Sequence, residues 1–99
     1  YQMTLEHAKK ILWLYMLQGG IHTLEELEEQ AVTTDMVKTQ AADALRLLSL
    51  AGNVVSGTRG LNNSKRKPRQ YWITLGCKVP EGVTVQEIHR AIRPSVHHY

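Results

Sequence analysis

A disulfide is excluded at once, because Cys77 is the only cysteine in the chain. A lone thiol also gives no sign of an oxidising compartment. No apolar stretch approaches a membrane span. The longest, Ile11 to Leu17, is seven residues, against the roughly 20 that a bilayer helix needs, and it lacks the small-residue cleavage site of a signal peptide. A cytoplasmic protein is expected, nucleoid-associated if its source is prokaryotic. The chain opens on Tyr1 and not on Met, which reads as a processed or trimmed chain. Catalytic signatures are missing too: there is no Gly-rich phosphate loop and no G-x-S-x-G elbow. The histidines, His7, His22, His89, His97 and His98, and Cys77 show no Cys-x-x-Cys or His-x-x-x-His spacing, so neither a metal site nor a cofactor is expected. These absences argue against an enzyme.

One further absence is local. No acidic residue occurs between Asp43 and Glu81, whereas Arg59, Lys65, Arg66, Lys67 and Arg69 crowd the middle of that interval. Residues 21–35 are the reverse, with Glu25, Glu26, Glu28, Glu29 and Asp35 and no Lys or Arg. The net charge of +3 therefore averages a dipolar chain, one edge of which suits a polyanion.

The stretch that organises the chain runs over 34–75. From Thr34 to Ala51, Val37, Ala41, Ala44, Leu45, Leu48 and Ala51 recur at three- and four-residue intervals and share one helical face. Asp35, Lys38, Thr39, Ala42, Arg46 and Ser49 collect on the other. Gly52 follows where a left-handed residue ends a helix at least cost. A short run, Asn53 to Ser56, and a second, Gln70 to Leu75, then flank the cationic loop and predict a hairpin. Tyr71 and Trp72 alternate on its second strand, one inward and one outward. A helix with a small polar face followed by a basic loop suggests two elements gripping one polyanion.

Ninety-nine residues make one domain with a single core. Thr4 can cap a first helix to about Leu17, with a buried stripe of Leu5, Ala8, Ile11, Leu12, Tyr15 and Met16. Trp13, Leu14 and Leu17 widen its apolar surface. Either part of this helix faces a second subunit, or it is a central helix wrapped on several sides. Gly19-Gly20 breaks it. Thr23-Leu24-Glu25-Glu26 matches a capping box and predicts a short helix to about Gln30, with Leu24 and Leu27 facing in. Ala31-Val32-Thr33 then turns into the third helix, capped by Thr33 or Thr34. Two helices joined by a short turn describe a helix-turn-helix. Beyond the hairpin, Thr84-Val85-Gln86-Glu87 is a second capping box, starting a short helix to about Ile92 with a narrow stripe of Val85, Ile88 and Ile92.

Helix, short helix, turn, helix and hairpin, with the pattern Leu45-x-x-Leu48-x-x-Ala51-Gly52-x-Val54, an Arg-Gly loop and Tyr71-Trp72, resembles the winged helix-turn-helix family of DNA-binding domains. The likeness spans about residues 4–76 and is loosely similar to small bacterial fimbrial-operon regulators, although the wing here is longer and a further segment follows it. The resemblance implies an α+β, mainly helical fold: a winged helix-turn-helix over 1–76 with a two-stranded basic wing. Residues 77–99 would be a connector, short helix and tail packing on the domain or on a dimer partner. It implies a sequence-specific double-stranded DNA-binding protein, a transcriptional regulator, whose third helix reads the major groove while the wing meets the backbone or minor groove. Carried onto this chain, the DNA-binding residues are Thr34, Lys38, Thr39, Ala42 and Arg46 on the helix and Arg59, Lys65, Arg66, Lys67 and Arg69 on the wing. A two-fold homodimer is expected, and no membrane partner. Two alternatives stand beside this reading: a winged-helix protein-interaction module within a larger assembly, and an RNA-binding winged helix.

Overall fold

Thr4 opens the first helix. Its backbone is extended and its hydroxyl accepts the His7 N–H at 3.2 Å, satisfying one of the donors that every helix start leaves without a partner. The computed structural model describes residues 4–34, 36, 38–57 and 69–92 and carries this helix, α1, over Leu5–Met16. After it come β1 (His22–Thr23), α2 (Leu24–Val32), α3 (Lys38–Leu50), β2 (Val55–Gly57), β3 (Gln70–Trp72) and α4 (Val85–Ile92). Among the described residues the fold is α+β and mainly helical, with four helices and one antiparallel sheet. No helix among them is long and apolar enough to cross a membrane.

The sheet has one strand more than the two-stranded hairpin that the sequence predicts. Its order is β1-β3-β2, with His22 opposite Tyr71 on one side of β3 and Ser56 opposite Tyr71 on the other. Two residues carry no alternating pattern, so β1 is a strand only because β3 supplies its partners. The predicted second strand also ends early, at Trp72 and not Leu75. There Cys77 N–H donates to the Thr74 carbonyl at 3.0 Å, closing a turn that leaves Leu75 in solvent.

The capping box of α2 forms as expected. Thr23 Oγ1 accepts the Glu26 N–H at 3.2 Å, and Glu26 Oε1 accepts the Thr23 N–H at 3.1 Å. The helix runs on to Val32, so Ala31 joins the core and not the turn. The start of α3 needs the opposite correction. Thr34 lies in the turn: its hydroxyl donates back to the Ala31 carbonyl at 2.9 Å. The Met36 N–H reaches the same carbonyl at 3.0 Å, and Met36 is buried. Bonds from Thr33, Thr34 and Met36 thus satisfy the carbonyl end of α2, and α3 runs from Lys38.

Ala41, Ala44, Leu45 and Leu48 face the core as predicted, but Ala51 is exposed because it lies past the helix end. Val37 lies outside the described residues. Gly52, at φ +82°, ends α3 by donating to the Ser49 carbonyl at 3.2 Å, while Asn53 N–H donates to Leu48 at 2.9 Å. That pair of bonds is a Schellman motif, which needs the left-handed residue between them.

Of the two readings of α1, the burial of Trp13 favours the central helix. Trp13 is 3% exposed, and its indole N–H donates to the Asn53 carbonyl at 3.0 Å. Leu14, Tyr15 and Leu17 pack against the same core. The helix is central and wrapped on several sides. Asn53 extends the tie: its side chain donates to the Lys78 carbonyl at 2.9 Å, and Lys78 N–H donates to Gly52 at 3.0 Å. One corner therefore joins α1, the α3–β2 junction and the connector after β3.

The second capping box also forms, with Thr84 N–H donating to Glu87 Oε1 at 2.9 Å and Glu87 N–H donating to Thr84 Oγ1 at 3.1 Å. Ile88 packs on the core, whereas Val85 and Ile92 of the predicted stripe are exposed. Glu87 Oε2 meets Lys10 Nζ of α1 at 2.9 Å. The Thr84 backbone bond, and after it the Lys10 bond, hold the Glu87 carboxyl below its ordinary range. A lowered carboxylate pKa adds stability at neutral pH that is lost as pH falls through the lowered value. Protection of the α4 amides, taken relative to intrinsic exchange at each pH, should accordingly fall as pH drops through the lowered Glu87 value, and Glu87→Gln should flatten that dependence. An acid response unchanged by the substitution would place its origin elsewhere.

Candidate nucleic-acid interface

The outward side of α3 begins with small and polar groups. Thr39, Ala42, Asp43 and Arg46 are exposed, and Ser49 is half-buried. The core side of the same helix is held by Leu45 and Leu48, both without solvent exposure, so the outward face has a defined direction. The helix backbone begins at Lys38. Arg59, Lys65, Arg66 and Lys67 lie outside the described residues.

Arg69 stands at the base of the hairpin, directly before β3. Its carbonyl accepts the Leu24 N–H at 3.3 Å, and its Nη1 donates to Ser56 Oγ on β2 at 3.5 Å. That bond is at the long limit and engages one of five guanidinium N–H groups. The structure brings Arg69 and Arg46 to one groove of about 330 Å³, lined by Arg46, Ser49, Leu50, Ser56, Arg69 and Tyr71. Two of the ten expected site residues thus meet from separate elements, while Thr34 turns back toward α2.

Ion pairs among the described residues are Lys9–Glu6 within α1 and Lys10–Glu87 between α1 and α4, and among them neither groove arginine is paired with a carboxylate. Burial pushes the Tyr71 phenol up, an effect the nearby Arg69 charge opposes, so the phenol is a neutral donor at physiological pH. Ser49 Oγ is shut off from solvent and has no hydrogen-bond partner. Sequence reasoning placed Ser49 on the polar face and Tyr71 on the sheet. It missed that they share a wall, because no local pattern states which strand residue faces the end of α3.

Tyr71 is the inward member of its pair, buried in the core, and Trp72 is half-buried. A Cβ built on Gly57 would lie 3.3 Å from the Trp72 ring, so the indole lies across β2. His22 is buried beside Tyr15, with ring centroids 5.4 Å apart, and its Nε2 lies 3.1 Å from the Gly19 carbonyl. It packs the turn after α1. Among the described residues no three His, Cys, Asp or Glu side chains are grouped to hold a metal ion. Cys77 Sγ accepts the Thr74 N–H at 3.4 Å, which places it in the turn after β3. Comparison with known proteins yields no relative: no family model, curated protein or solved structure matches the chain.

Proposed function

We propose that this chain binds double-stranded DNA as a winged helix-turn-helix protein and acts as a sequence-specific transcriptional regulator. In this reading α3 enters the major groove, and the β2–β3 hairpin with its cationic loop lies along the backbone or in the neighbouring minor groove. The observation that carries the reading is the shared groove, where Arg46 of α3 and Arg69 of the hairpin base stand together with no carboxylate partner among the described residues. The order α1-β1-α2-α3-β2-β3, with β1 paired to β3, is compatible with a winged helix. Small groups at Thr39 and Ala42 permit close approach to base edges, and the loop cations supply sequence-independent attraction.

One observation favours a protein-interaction module instead. The Leu24 N–H bond to Arg69 sets the first turn of α2, with Glu25 and Glu26 exposed, beside the hairpin base. Those carboxylates repel phosphates and would suit a basic protein surface. Gel shifts with duplex DNA and duplex RNA at two salt concentrations separate the readings. Binding to duplex DNA that weakens steeply with salt is the expected result. Equal retention of RNA would assign the surface to RNA, and no shift of either duplex would leave the protein-interaction module.

A further inference from the structure

The groove between α3 and the hairpin base has a chemistry of its own, narrower than a basic surface. We infer that it is a seat for a single phosphate group, held by Arg46 and Arg69 with the Ser49 hydroxyl as its inner donor. The inference shares its two arginines with the DNA-binding reading, but stands on three further features.

The first is the donor set. Besides the two guanidiniums, the walls offer three hydroxyls, from Ser49, Ser56 and Tyr71, and one apolar side chain, Leu50. Among the described residues no carboxylate lines the groove. Every charged group in it is a cation, and the cations are of the kind that bonds phosphate oxygens in pairs. The second is direction. Arg46 and Ser49 come from α3, Ser56 from β2, and Arg69 and Tyr71 from the β3 strand and its entrance. Donors converging from three elements match the diverging oxygens of a tetrahedral anion. A carboxylate, with two oxygens in one plane, would leave part of them unused. About 330 Å³ holds a phosphate and the ester group attached to it. The third is Ser49 Oγ, which is buried and without a partner. Such groups are rare in folded proteins because each carries a desolvation cost. Ser49 forms part of the groove wall, and rotation about its single side-chain torsion would bring the hydroxyl to a phosphate oxygen there. Tyr71, a neutral phenol at physiological pH, supplies a further hydroxyl.

The phosphate has two sources with the same chemistry: the backbone of bound DNA, or a free phosphorylated small molecule. Titrating the full chain with inorganic phosphate, against chloride at matched ionic strength, tests the seat itself. The readout is the backbone amide NMR signals of Ser49, Ser56 and Tyr71. They should move saturably with phosphate and not with chloride, and Ser49→Ala should weaken phosphate binding roughly ten- to a hundredfold while the rest of the spectrum keeps its dispersion. Duplex titrations of the same variant identify the source. A comparable loss for preferred and scrambled duplexes, with inorganic phosphate competing against DNA, assigns the seat to the backbone. Unchanged duplex affinity beside lost phosphate binding assigns it to a free ligand. Amides that ignore phosphate in a protein still retaining duplex DNA would overturn the seat and leave the DNA reading standing. Saturable phosphate binding in a protein that retains no duplex would overturn the DNA reading and keep the seat.

Discussion

Replacing Lys65, Arg66 and Lys67 together with Gln is expected to weaken binding to every duplex alike, by up to about a hundredfold near 0.15 M salt. The magnitude follows from counterion release. Each phosphate contact contributes about 0.9 log units of affinity per decade of salt, so three contacts contribute up to about 2.7. The salt slope should flatten by the same amount. Long cationic side chains on a loop with Gly60 and the Asn62-Asn63 pair are suited to phosphates and poorly suited to reading base edges. The α3 variants should behave differently. Lys38→Ala, at the first residue of α3, should lower preferred-site binding by roughly 1–3 kcal/mol and leave a scrambled duplex nearly unaffected. From the sequence, Arg46 also belongs to the reading face. Its place beside Arg69 in one groove now favours a phosphate role, so Arg46→Ala should weaken both duplexes in parallel. Paired titrations of preferred and scrambled duplex, at two salt concentrations, measure all three variants. If the loop variant loses sequence preference and Lys38→Ala keeps it, the loop reads the sequence and these assignments are reversed.

The largest stability effect is expected at Trp13. Removing the indole by Trp13→Ala should cost about 3–5 kcal/mol, the range for deleting a large buried aromatic, out of a total stability of about 5–15 kcal/mol for a domain of this kind. Two losses combine. The ring leaves a cavity in the buried cluster to which it belongs, and the Asn53 carbonyl loses the indole donor that now reaches it at 3.0 Å. Trp13→Phe separates them, because it keeps most of the apolar volume and forfeits the bond. About 1–3 kcal/mol should remain as the cost of that unmet carbonyl. Urea unfolding of the three proteins gives the ranking directly. A Trp13→Ala protein as stable as the parent would mean that the indole is not part of the core. It would also reopen α1 as a surface for a second subunit.

Much of the helical content is legible because its causes are local. Thr4, the Thr23–Glu26 box and the Thr84–Glu87 box each satisfy helix-start donors with side chains from within a single turn, and Gly52 supplies the backbone angle that the Schellman bonds need. These depend on residues three or four apart, which a sequence displays openly. Where α3 begins was less legible. The periodicity extends back to Thr34, but the carbonyl of Ala31 draws Thr34 and Met36 into its own turn. Competition between two local satisfactions is not visible in a hydrophobic pattern.

By itself the sequence determined the starts of α1, α2 and α4, the glycine that ends α3, the inward set Ala41, Ala44, Leu45 and Leu48, the opposed charge blocks and the absence of any disulfide, since each depends on neighbouring residue types or on composition alone. Tertiary structure decided the rest. β1 exists because Tyr71 and Gln70 stand opposite His22 and Thr23, a pairing across almost fifty residues that two residues of sequence cannot announce. Trp13 is core and not surface because Asn53, forty positions on, turns its carbonyl toward the indole. Arg46 and Arg69 share one groove only because the Gly52 turn lays β2 and β3 against the end of α3. Contacts of that kind depend on how the elements pack against one another, and packing has no signature in the spacing of residues along a single chain.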